Sequence, residues 1–423
     1  MTDTISAEGS ASARAAALAF DLRKLDPDFL EDPYPVYRAL REHDPVHRMP
    51  DGSYFLSRYE DCAEVYRDPA SWSSDKRIDF RPNFADSLLY EHHTTSLVFN
   101  DPPYHTRVRK LLAPAFTPRA LKTLQPRVEA LVDRLLERAA ELRSFDLIDD
   151  FAAAIPVQLI GDMLGVPSDE RGPLRGWSLA ILGALEPVLG RKQFERGVAA
   201  VAEFKAYLVD LIERRLHEEH GHEGEILSTL IAASDFAAPK ASQERLSELE
   251  LLHNCIFLLN AGHETTTNLI GNSIDLLIRN PDAMRDLRNN PDCIDTAVEE
   301  FLRMESSNQL GNRRAARDTS LAGVEITAGS YVHIGIGAAN RDPAQFPAAD
   351  HLDIRRQPNR HLAFATGIHA CAGMSLARME AKVAIGKMLG RFETIERDGA
   401  FVRGGRARFR GFLHYPVRVI EHE

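Results

Sequence analysis

The segment Phe364-Ala365-Thr366-Gly367-Ile368-His369-Ala370-Cys371-Ala372-Gly373 places one cysteine between two glycines, just ahead of a strongly helical run from Met374 to Leu389. Gly367 can take the positive φ of a tight turn, and Gly373 lets backbone or a flat cofactor approach with no side chain in the way. Cys371 then sits at a helix N-terminus, where unpaired N–H groups and the macrodipole favour a thiolate. That chemistry suits an anionic metal ligand. A lone cysteine is more often buried and inert, so the reading depends on whether other segments agree with it.

Ala261-Gly262-His263-Glu264-Thr265-Thr266 lies in the middle of a long helical pattern, where a small residue, a carboxylate and a hydroxyl are locally expensive. A buried threonine can bond the carbonyl four residues back and open the helix, and Gly262 relieves the crowding, leaving a groove for water or dioxygen. Proton delivery needs a titratable group joined to water plus a hydroxyl, and this stretch holds both. The plainer alternative is that Thr265 and Thr266 only satisfy backbone groups. Glu300 and Arg303, three apart, share a helical face; on a surface such a pair contributes under about 1 kcal/mol. His105 and Arg109, four apart after Pro102-Pro103, also share a face. Arginine's fork is the best side-chain donor for a buried carboxylate.

Taken together, these segments resemble the cytochrome P450 family. Phe364, Gly367, Cys371 and Gly373 match its Phe-x-x-Gly-x-x-x-Cys-x-Gly loop, and the resemblance implies that Cys371 is the axial thiolate of haem iron, pushing electron density toward the metal. By the same match Glu264 and Thr265 are the acid and the alcohol that supply protons as dioxygen is activated, with Ala261 against the cofactor. Glu300 and Arg303 look like the Glu-x-x-Arg motif. Arg356, in Asp353-Ile354-Arg355-Arg356, fits the place of its third member best, with a structural role: if the network is buried, breaking it costs roughly 3 to 5 kcal/mol. His105 and Arg109 look like the pair that holds a haem propionate, and Arg313 and His369 match the other donors. Arg314 takes the place of Arg313 if the register shifts by one, and His361 is a weaker candidate. The implied cofactor is haem b, iron protoporphyrin IX.

The resemblance covers about Asp26 to Val419, including Ala339-Asn340-Arg341-Asp342-Pro343. Two departures stand out. Ala365 replaces the glycine usual after the loop phenylalanine, and Ser307-Asn308 replaces a common Pro-Val, which makes that part of a substrate wall more polar. The activity implied is that of a bacterial-type haem-thiolate monooxygenase that takes O2 and two electrons and oxidises a small organic substrate. No flavin or ferredoxin module fits in this length and no Gly-x-Gly-x-x-Gly fingerprint appears, so a ferredoxin and its NAD(P)H-dependent ferredoxin reductase would act in trans. A peroxide-driven peroxygenase is a second reading, which retention of Glu264 and Thr265 disfavours. A haem-binding sensor or carrier without turnover is a third. In relatives the substrate walls come from segments matching Trp72–Phe99, Leu179–Phe194, the central helix and Ser307–Arg313; Leu88, Leu89, Leu182, Leu258 and Asn308 are the contacts expected here.

The chain has 423 residues, 44% hydrophobic and 27% charged, with a net charge of -11. That profile belongs to a soluble globular protein, and the acidic balance makes sequence-independent binding to nucleic acid or an anionic membrane unexpected. No run approaches the eighteen or so apolar residues of a membrane span, and the N-terminus lacks a signal pattern, so a cytoplasmic location is expected. Cys62, Cys255, Cys293 and Cys371 lie far apart with no zinc-type or disulfide spacing. Against the acidic whole, Arg107, Arg109, Lys110, Arg119, Lys122 and Arg127 form a basic run that can dock an acidic electron donor, although a solvated helix face explains most such runs.

The elements that must hold these groups are mainly helical with small sheets: a cytochrome P450 fold, one large helical domain around a buried haem. Residues 1–25, rich in Ala and Ser, read as a flexible lead-in, and 26–423 as the haem domain. The clearest helix starts at Ser247, whose spacing to Glu250 forms a capping box, and runs to Asn280 before Pro281. Strand-like runs are Ser53–Leu56, Tyr331–Ile336 and Arg410–Ile420, the last read as a period-two strand with solvated arginines.

Overall fold

The computed structural model describes residues 11–217, 226–235 and 245–422. They are mainly helical, with small sheets. Within the span read as one domain, the chain gathers into two compact units. The first holds the described residues up to Ser74, Asp275–Cys371 and Arg403–Phe412; the second holds Asp75–Ile274, Ala372–Val402 and the described residues from Leu413.

In the first unit a five-stranded sheet runs in the spatial order Val46–Arg48, Tyr54–Leu56, Tyr331–Gly335, Leu310–Ala315, Trp72–Ser73. Tyr54–Leu56 pairs parallel with Tyr331–Gly335, and the other pairs are antiparallel. Because side chains alternate across a strand, Tyr54 and Leu56 join a core with Val65, Val332 and Ile334, while Phe55 joins another with Phe29 and Tyr37. This second core overturns part of the expected lead-in. Residues 11–18 are helical, and Ala17, Phe20 and Leu22 are buried in it, the Phe20 ring 5.0 Å from that of Phe55. An alanine-rich stretch is a good helix former, and three apolar side chains suffice to dock it. Residues 1–10 lie outside the described residues.

The helix Glu248–Arg279, of 32 residues, belongs to the second unit as far as Ile274. Its capping box closes from both sides: Ser247 N–H donates to Glu250 Oε2 at 2.9 Å, and Glu250 N–H donates to Ser247 Oγ at 3.2 Å. At Gly262 a Cβ would lie 2.3 Å from Ile160 Cδ1, so the helix Ala154–Met163 approaches closely there and a larger residue would have to displace the Ile160 side chain. The helix Pro118–Leu142 packs against Met374–Arg391, and Leu174–Gly183 against Arg191–His217. A three-stranded antiparallel sheet has Pro416–Glu421 between Ser144–Asp146 and Phe392–Arg397.

The expected strand Arg410–Ile420 is two strands, Phe412–His414 and Pro416–Glu421. Pro416 has no N–H to continue a ladder. Arg410 is not solvated: it is 5% exposed, and its Nε donates to Glu305 Oε2 at 2.8 Å. Period-two reasoning assigns a face but cannot see a buried carboxylate waiting a hundred residues upstream. Among the described residues no helix is long and apolar enough to cross a membrane.

Candidate active site

The cysteine loop belongs to the first unit. Ala365 has φ 54° and Gly367 φ 73°, so the chain turns twice through the left-handed region between Phe364 and His369. A Cβ at Gly367 would lie 2.3 Å from the Tyr66 carbonyl oxygen, which reserves that position for glycine. The turn Gly367–His369 follows, and Cys371 N–H donates back to Phe364 O at 2.9 Å, closing the loop. Cys371 is partly exposed, and Gly373, two residues on, is the N-cap of the 18-residue helix Met374–Arg391. The nearest atom to a Cβ at Gly373 would be Phe116 Cε1 at 3.8 Å, so the helix start is uncrowded. Upstream, the Leu362 N–H is held by Asn340 Oδ1 at 2.7 Å.

Arg313 is almost buried, its guanidinium 5.1 Å from the Tyr66 ring centroid and its Nη1 donating to the Asn312 carbonyl at 2.7 Å. Strand alternation turns Arg314 the other way, onto the Gly329 carbonyl at 2.6 Å. His369 is partly exposed. Both ring nitrogens of His361 are engaged, one with Glu299 at 3.2 Å and one with the Ala363 N–H at 3.3 Å, so that histidine serves its own loop.

Behind the loop lies a buried charge network. Arg303 forks onto Glu300 with both contacts at 2.7 Å, and both residues are fully buried. Arg356 Nε reaches Glu300 Oε2 at 3.0 Å, joined there by Asn359 Nδ2 at 3.0 Å, while the Asp353 N–H donates to Oε1 at 3.0 Å. The rest of the Arg303 guanidinium donates to the carbonyls of Asn340, Ala349 and His351. Asn359 and the Asp353 amide carry no periodic or motif signal, and sequence reading missed them.

In the second unit, from Leu251 to Ile274, the long helix is buried except along one stripe. Phe257, Leu258, Ala261, Gly262 and Thr265 retain accessible surface, Ala261 most of all, while Leu259, Asn260, His263 and Glu264 are buried. Thr265 Oγ donates to the Ala261 carbonyl at 2.8 Å, the back-bond expected of a mid-helix threonine. His263 is buried, and loss of solvation pushes its pKa down to about 3. His105 is buried on the helix Tyr104–Leu112 and Arg109 is half-buried. Arg107 is taken up by Glu250, with contacts of 2.5 and 3.1 Å, whereas Lys110, Arg119, Lys122 and Arg127 are exposed. Leu88 and Leu258 are partly accessible and Leu182 is nearly buried. Leu89 has no accessible surface, and its Cδ1 would lie 3.0 Å from a Cβ at Gly197, so it is core between two helices. Asn308 is half-buried in the first unit, bridged to Phe409.

These residues fit a thiolate-ligated haem. The open stripe runs along an otherwise buried helix and is lined by small and apolar positions, which suits a flat apolar face. Arginine and histidine donors suit carboxylates, and a cysteine near a helix N-terminus suits a thiolate.

The cytochrome P450 family pattern matches residues 180–400. The chain is 38% identical over 390 residues to the vitamin D(3) 25-hydroxylase of Pseudonocardia autotrophica, covering 89% of this chain and 93% of that one. It is 36% identical over 415 residues to the cytochrome P450 monooxygenase PikC of Streptomyces venezuelae, covering 96% and 95%. Among solved structures, P450BioI in complex with an acyl carrier protein ligated to hexadec-9Z-enoic acid aligns with a TM-score of 0.86 at 32% identity, over 93% of this chain and 100% of that one.

Proposed function

The chain belongs to the cytochrome P450 family of haem-thiolate proteins, and on that premise we propose that this oxidoreductase is a monooxygenase that inserts one oxygen atom into a small organic substrate. Its electrons would come from a ferredoxin and an NAD(P)H-dependent ferredoxin reductase in trans. The observation that carries the reading is the loop from Phe364 to Gly373, two left-handed turns that present Cys371 at the start of a helix.

Haem b, when bound, supplies the activation of dioxygen. Cys371 would hold it as a thiolate, which the nearby start of Met374–Arg391 favours. By the family resemblance, His105, Arg109, Arg313 and His369 would donate to its carboxylates. Thr265 keeps its hydroxyl proton on the Ala261 carbonyl, which leaves the Oγ lone pairs to accept from water. Glu264 holds the proton to be delivered on its carboxyl group, one residue away. Phe257, Leu258 and Ala261 exclude bulk water along the open stripe.

The substrate would be mostly apolar with one hydrogen-bond donor. Asn308 Oδ1 is buried and has no hydrogen-bond partner among the described residues, and such an atom is costly unless a ligand or water meets it. A cytoplasmic setting is supported by four free cysteines.

The test is the optical spectrum of dithionite-reduced protein with and without carbon monoxide. A long-wavelength Soret band that disappears in Cys371→Ser supports the assignment. A band typical of histidine ligation, or no haem at all, overturns it.

A further inference from the structure

Outside the groups used above, the second unit holds a buried cluster of three histidines. His92 and His93 lie on the helix Leu88–Thr95, and His253 lies on the long helix; they are 2%, 1% and 0% exposed. His253 Nε2 is 2.8 Å from Glu91 Oε1, and Lys205 Nζ meets the same oxygen at 2.8 Å. Glu91 is 36% exposed at its side chain and touches solvent. The His92 ring lies 5.4 Å from the His253 ring, and His92 Nε2 is 3.5 Å from the Asn260 amide nitrogen. Asn260 precedes Glu264 by four residues, so the two share a face of the helix about 6 Å apart.

Four polar groups therefore run inward from a solvent-exposed carboxylate to the helical turn below Glu264. Among the described residues, His92 Nδ1, His253 Nδ1 and Asn260 Oδ1 are buried without hydrogen-bond partners. Buried polar atoms of this kind are normally met by internal water. The cluster is not a metal site: among the described residues no group of three His, Cys, Asp or Glu side chains has metal-holding geometry.

We infer that Glu91, His253, His92 and Asn260 form a proton inlet that recharges Glu264 from solvent. The inference rests on the proton-donor role proposed for Glu264. Solvent protonates Glu91, which passes the proton to His253 Nε2 while the ring releases another from Nδ1. A water between the rings carries it to His92, which again gains at one nitrogen and loses at the other. Asn260 does not change protonation; it holds the water that crosses the last helical turn to the Glu264 carboxylate. One O–H bond forms on Glu264, each ring ends with as many protons as it began, and one proton leaves bulk water. Burial lowers the pKa of both His92 and His253, with His93 beside His92 and Lys205 beside His253 adding to it and Glu91 opposing it at His253. Neutral rings that charge only briefly are suited to passing a proton rather than storing it.

The test uses the full-length, haem-loaded protein with His253→Leu, His92→Phe and Glu91→Gln. With 15N-labelled histidine, the His92 ring N–H is expected to exchange with solvent about tenfold more slowly in H253L and E91Q than in the parent; equal rates overturn the inlet. During turnover, H253L and H92F are expected to lower product formed per NAD(P)H about tenfold and to raise the solvent isotope effect. Added imidazole should restore H253L, while substrate affinity and melting temperature stay put. Unchanged coupling and isotope effect in a protein that turns over overturn the inlet. If the parent itself shows no turnover, the monooxygenase reading fails, and the exchange measurement still decides the inlet.

Discussion

Two kinds of buried polar cluster are built in opposite ways. In the first, Glu300 is met by Arg303, Arg356, Asn359 and a backbone amide, and Glu305 by Arg410, Arg341 and the Tyr34 hydroxyl. In the second, His92, His253 and His263 are buried with ring nitrogens that meet no partner among the described residues. A saturated cluster can only hold things in place, since any change of charge breaks bonds already made. An unsaturated one is costly at rest and free to accept water, protons or ligand. Here the saturated carboxylates serve as scaffold, and the unsaturated His92 and His253 are where the proton inlet is proposed.

The sharpest way to break this contrast is Arg303→Ala. Stranding the fully buried Glu300 carboxylate is expected to cost about 3 to 5 kcal/mol in denaturant unfolding, with loss of the Soret band. If the variant unfolds within about 1 kcal/mol of the parent, the network is not scaffold.

Acid should separate the two kinds of cluster. His92, His253 and His263 have folded pKa values below the ordinary 6.5, with His263 at about 3. The unfolded chain therefore binds protons first, and stability falls as pH drops below about 6.5. Glu305 is raised by burial but held down to about 2 by Arg410 and Arg341. Its contribution is present above about pH 4.5 and fades only toward pH 2. Denaturant melts across pH 3.5 to 7.5 should show the histidine-driven loss well before the carboxylate's; stability that is flat between about pH 6.5 and 5 counts against it.

Thr265→Ala should leave folding within about 1 kcal/mol of the parent, since only a back-bond is lost. It should nonetheless lower product per NAD(P)H at least about tenfold, with oxygen appearing as hydrogen peroxide. Full coupling in that variant would remove the alcohol from proton delivery. The smallest effect belongs to Ala365, which holds φ 54° where glycine is at ease. Ala365→Gly is expected to be neutral or to stabilise by up to about 1 kcal/mol, the left-handed penalty offset by glycine's chain entropy. A loss of melting temperature would show that the methyl packs usefully with the sheet core it borders.

What could be read in advance was whatever the chain writes locally. The capping box at Ser247, the cysteine between glycines and the Glu300–Arg303 spacing each depend on residues within one turn or loop. Arg356 was also reachable, because one plausible arginine stood at the right distance. Pairings decided by tertiary approach were not legible. Nothing near Arg410 announces Glu305, nothing near Gly367 announces the Tyr66 carbonyl, and His92 and Asn260 are 168 residues apart. The docking of residues 11–25 was hidden for a different reason: alanine-rich composition is shared by tails and helices, and only the burial of Phe20 and Leu22 tells them apart.

The Glu300 network also has a consequence in time. A ribosome makes the carboxylate first, and its donors arrive at position 303, then at 353, 356 and 359, so its set of hydrogen bonds stays incomplete until 59 more residues have been added. The loop bearing Cys371 is next off the line. Position 359 and Cys371 lie too close in sequence to leave the ribosome's exit tunnel apart, so the Glu300 clasp and the sulfur become available for folding together.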